Sequence, residues 1–79
     1  MITINLFHLD TEETITLILG RHSAIPRQGE LIDFNEGEFI PGVKDFCDRV
    51  KCETRTFEVT GVTHKLNTQI VEINIENHE

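Results

Sequence analysis

Apolar residues recur at every second position at both ends of this chain: Ile2, Ile4 and Leu6 near the start, Val71, Ile73 and Ile75 near the finish. Successive side chains of an extended strand point to opposite faces, so this period builds strands with one buried and one solvated face. Glu72, Asn74 and Glu76 fill the solvated face of the last strand. Such a strand cannot stand alone. It needs neighbours for its backbone hydrogen bonds and a second layer for its apolar face. With 79 residues, the chain is expected to form a single domain over 1–79. A domain of that size buries only about 60% of the surface its unfolded form exposes.

Between those ends the strand pattern continues. Asp10-Thr11-Glu12-Glu13 is a polar turn. Thr14 to Leu19 follows, with Ile15, Leu17 and Leu19 on one face and Ile18 on the other. The two opening segments read as a hairpin. Pro26-Arg27-Gln28-Gly29 has the preferences of a type I turn, and Glu30 to Phe34 reads as a strand with Ile32 and Phe34 inward. Asn35-Glu36-Gly37 is a connection to a short strand over Glu38 to Ile40. Phe57 and Val59 alternate with Glu58 and Thr60, but Val62 falls on the opposite parity across Gly61. A glycine at a parity break predicts a β-bulge, with Gly61 free to take a positive φ. Residues 42–51 read differently, at helical spacing. Val43, Phe46, Cys47 and Val50 form one helical stripe, and Lys44 with Asp48 and Asp45 with Arg49 stand one turn apart. The expected fold is mainly β: a small antiparallel barrel of five to six strands with one short inserted helix.

The stretch Ile25-Pro26-Arg27-Gln28-Gly29-Glu30-Leu31-Ile32, then Phe57-Glu58-Val59-Thr60-Gly61-Val62-Thr63-His64 and the closing Val71-Glu72-Ile73-Asn74-Ile75, resembles small SH3-like β-barrel proteins of bacteria and phages. The resemblance covers roughly half the chain and implies a fold, with no chemistry attached.

Charge narrows the partners. Fourteen acids against seven bases give a formal net charge of −7. Nucleic acid is disfavoured because Lys and Arg must replace its counterions, and anionic membrane surfaces are disfavoured likewise. Trp and Tyr are absent, which removes the usual stacking platforms for single strands. Met1 runs straight into the first alternating strand, so no signal peptide is read. The cytoplasm is the expected compartment, with both thiols reduced.

The ionisable residues form no recognisable catalytic set. His8, His22, His64, His78, Cys47 and Cys52 are the conceivable metal ligands, but the cysteines are five apart and lack zinc-site spacing. Cys47 sits in the apolar stripe and Cys52 beyond it, so Cys52 is expected to be the reactive thiol. His22, Ser23 and Asp33 do not make a nucleophile motif. His64 stands just before a loop and is the most suggestive single side chain. No cofactor motif is present. Glu30, Asp33, Glu36 and Glu38 form an acidic edge, and Phe7, Leu9 and Ile18 give the first hairpin a second apolar face.

These features favour a non-catalytic module that binds a protein partner, itself included, over an enzyme. The alternatives are a small acidic inhibitor or nucleic-acid mimic seated on a basic surface, and a metal-binding domain. Phe7, Leu9, Ile18, Glu30, Asp33, Glu36, Glu38 and His64 are the candidate interaction residues.

Overall fold

The computed structural model describes residues 2–19, 25–34 and 42–78. The expected strand at Glu38 to Ile40 and the candidates His22, Ser23, Glu36 and Glu38 lie outside the described residues. The elements run β1 (Ile2–His8), β2 (Thr14–Leu19), β3 (Leu31–Asp33), α1 (Val43–Arg49), β4 (Thr56–Lys65) and β5 (Ile70–Asn77).

The strands form one mixed sheet in the order β2-β1-β5-β4-β3. Three pairings are antiparallel, but β1 and β5 run parallel, with Ile4 opposite Val71 and Leu6 opposite Ile73. The mainly β, barrel-like expectation holds, since the sheet curls into a half-barrel with one short helix, but the all-antiparallel arrangement is corrected to a mixed sheet. The physical reason lies in the connection. Two antiparallel hairpins, β1-β2 and β4-β5, are joined by a segment long enough to cross the sheet and carry a helix, as a parallel neighbour requires. The strand period is the same for either direction, so it could not distinguish them.

The inward residues of β1, β4 and β5 meet the helix. Ile4, Leu6, Phe57, Val59, Ile73 and Ile75 are buried, and so are Val43, Phe46, Cys47 and Val50 of the helical stripe. Ile15, Leu17, Ile32 and Phe34 pack at the margins of this core. The helix starts at Gly42, with φ 87°, and uses no side-chain cap. It ends in a Schellman motif: Cys52 N donates to Cys47 O at 3.0 Å, Lys51 N to Asp48 O at 3.3 Å, and Lys51 takes φ 57°. Arg49 does not pair with Asp45. Its Nε reaches across to Glu13 Oε2 at 3.2 Å, tying the helix to the first hairpin turn.

The parity break is a bulge, with the β4-β5 register shifting between Val59 and Gly61. Val62 thereby returns to the inner face opposite Ile73. Gly61 does not take the expected positive φ; Gly29 and Gly42 do. A Cβ at Gly61 would meet Asn74 Nδ2 at 3.4 Å, an ordinary contact, so the position carries no backbone strain and admits a small side chain. The turn before β3 also differs from expectation. Glu30 N donates to Arg27 O at 3.0 Å, which moves the turn one residue on and puts Gly29, at φ 91°, in its third position. Positive φ there is the signature of a type II turn.

Candidate interaction surfaces

His8 and Asn77 both extend the inward parity of their strands, where a polar side chain needs a partner. His8 is 1% exposed and packs edge-on to Phe57. Its Nε2 lies 2.8 Å from Asn77 Oδ1 and its Nδ1 lies 2.9 Å from Thr11 Oγ1. Asn77 Nδ2 donates to Val50 O at 3.0 Å, which fixes the amide's orientation. The imidazole therefore donates from Nε2 to Asn77 Oδ1, while its Nδ1 faces the Thr11 hydroxyl, which can donate or accept. This chain joins the β1 turn, β5 and the helix end, and it uses up His8.

The two cysteines are brought together on the buried side of the helix end, in the positions that a Schellman motif packs against each other. Cys47 is 2% exposed and Cys52 4%. The expectation of an exposed, reactive Cys52 is overturned: the Schellman turn folds it back under the helix, where its Sγ donates to Thr56 O at 3.4 Å. Burial is the main cause that pushes the Cys47 thiol up from its ordinary value, and the neighbouring Cys52 adds to it. A buried, neutral thiol is a small hydrophobe. Among the described residues, no three His, Cys, Asp or Glu side chains are placed to hold a metal ion.

His64 lies near the end of β4, just before the turn at 66–69, and stands opposite Val71. Its side chain is exposed and borders an open groove of about 650 Å³. Ile2, Ile25, Pro26 and Val62 supply the groove's apolar walls, and Arg27, Glu30 and His64 its polar rim. Glu30 is partly engaged there, because its Oε1 accepts from Arg27 N at 2.6 Å. Asp33 is exposed at the end of β3, on the far edge of the sheet from the first hairpin.

The outer face of the sheet carries Phe7, Ile18 and Leu31 as well as polar residues. Ile18 is 67% exposed, Leu9 40% and Leu31 51%, while Phe7 is half-buried. The structure separates these side chains. Ile18 stands opposite Thr3 and Phe7 opposite Thr14, with the Asn5-Thr16 pair between them. Thr16 Oγ1 contacts Asn5 Oδ1 across that pair at 3.4 Å. Further along the same face, Glu58 stands directly opposite Glu76. Like charges directly opposite destabilise a strand pair, and an unlike pair contributes about 0.2–1 kcal/mol. Glu76→Lys is therefore expected to raise the urea midpoint at low salt, with the gain shrinking as salt is added. An unchanged midpoint would mean that solvent screens the pair completely.

No family model, curated protein or solved structure matches the chain. Among the described residues, no helix is long and apolar enough to cross a membrane. The functional reading therefore rests on the surfaces themselves.

Proposed function

We propose that this domain is a non-catalytic interaction module that assembles through its first hairpin. One observation carries the reading: β2 is an uncharged edge strand that, among the described residues, pairs with β1 alone, and Ile18 on it is exposed. An unprotected strand edge is a template for pairing with another chain. Three of the residues suited to chemistry support it from the other side. His8, Cys47 and Cys52 are buried within the core rather than presented to a substrate. The resemblance to small SH3-like proteins belongs to this reading as a likeness of motif, and the cytoplasm is its compartment.

Light scattering after size exclusion, run over a dilution series, tests the proposal. The expected result is a mass that rises above the monomer at micromolar concentration. A monomer at every concentration rejects it.

A further inference from the structure

The two edges of the sheet are not alike. β3 is three residues long and ends in Asp33. Short strands and charged side chains protect an edge from pairing with another chain. β2 has neither device. Its six residues, Thr14-Ile15-Thr16-Leu17-Ile18-Leu19, carry no charge, no proline and no glycine. Among the described residues, nothing but β1 pairs with it.

The hydrogen-bond alternation shows which backbone groups face outward. His8 N donates to Glu13 O at 2.9 Å. In an antiparallel ladder bonded and non-bonded pairs alternate. The register then makes Leu6 with Ile15, and Ile4 with Leu17, the bonded pairs. Thr14, Thr16 and Ile18 therefore turn their N–H and C=O groups away from β1, towards the free edge.

Those three residues are spaced symmetrically about Thr16. A second β2 running antiparallel, with Thr16 opposite Thr16 and Thr14 opposite Ile18, satisfies every outward group at once. It also keeps the faces in phase, because Ile15 then meets Leu17 on the inner side. A shift by two residues in either direction leaves some of these groups unpaired. An uncharged edge is also where two chains of net charge −7 meet with least repulsion.

We propose that β2 pairs with β2 of a second copy about a two-fold axis at Thr16, joining the two sheets into one. The proposal rests on the self-association reading above and specifies its surface and register. The pairing is isologous and therefore closes as a dimer.

Cross-linking of the full chain tests the register. Residues in a bonded antiparallel pair lie about 5.5 Å apart at Cα, within reach of a disulfide. Thr16→Cys is expected to give a covalent dimer under mild oxidation. Thr14→Cys mixed with Ile18→Cys is expected to do the same, and neither alone. Ile18→Lys places a charge on the edge at a 67% exposed position, and is expected to weaken the dimer at least tenfold without altering the fold. Phe7→Asp changes the outer face and is expected to leave the dimer intact. A dimer lost with Phe7→Asp but indifferent to Ile18→Lys overturns the edge and leaves self-association standing. Self-cross-linking of Thr14→Cys in place of Thr16→Cys overturns the register. A wild-type monomer at all concentrations overturns both readings.

Discussion

Phe57→Ala is expected to cost about 3–5 kcal/mol, the range for removing a buried aromatic ring. Phe57 is fully buried, and its ring meets His8 at 6.2 Å, Phe34 at 5.9 Å and Phe46 at 5.7 Å between centroids. It therefore links β1, the end of β3 and the helix through one side chain. Domains of this length have about 4–12 kcal/mol of stability in all, at 0.05–0.15 kcal/mol per residue. The substitution is expected to remove a large share of that stability, and nearly all of it at the lower end of the range. Urea unfolding followed by circular dichroism measures the loss. Phe7→Ala, at a half-buried ring on the outer face, serves as the comparison and is expected to cost much less. A loss below about 2 kcal/mol for Phe57→Ala would mean that the core collapses around the missing ring.

The second large effect is expected at Asn77, and its cause is polar. Asn77→Leu keeps the side chain's approximate volume but removes both amide contacts. Val50 O loses its donor at 3.0 Å, and His8 Nε2 its acceptor at 2.8 Å. Leaving a buried polar group unpaired costs about 1–3 kcal/mol. A total loss of about 2–4 kcal/mol would lower the melting temperature by about 10–25 °C in a domain of this size. The loss should not add to that of His8→Leu. Once the imidazole is absent, one of the stranded groups is absent too, so the double variant should be more stable than the sum of the single losses implies. A double-mutant cycle with thermal melts reads this coupling directly. Strict additivity would mean that the two side chains do not act through their mutual bond, and that solvent replaces Asn77 at His8.

His8 and Asn77 also show how much of the interior was legible in advance. Ile2, Ile4 and Leu6 are followed on the same parity by His8, and Val71, Ile73 and Ile75 by Asn77. Each polar residue continues an inward row. That signal is present in the alternation, but alternation alone does not pair the two side chains. Pairing depends on β1 and β5 being neighbours, and they are 69 positions apart at the two residues concerned.

Strand positions, inward faces, the helical stripe and the bulge at Gly61 follow from the sequence, because each is a property of the local side-chain period. A period of two or of 3.6 is set by the backbone within a few residues. Tertiary structure decided the parallel union of β1 with β5, the return of Cys52 beneath the helix, the transfer of Arg49 to Glu13 and the exposure of β2 at the sheet edge. These depend on which strand lies beside which, and in what direction. Backbone N–H and C=O groups carry that choice, and they are the same in every residue but proline. The pattern of side chains could therefore say which face of β2 is buried, but not that β2 would stand at the edge of the sheet among the described residues.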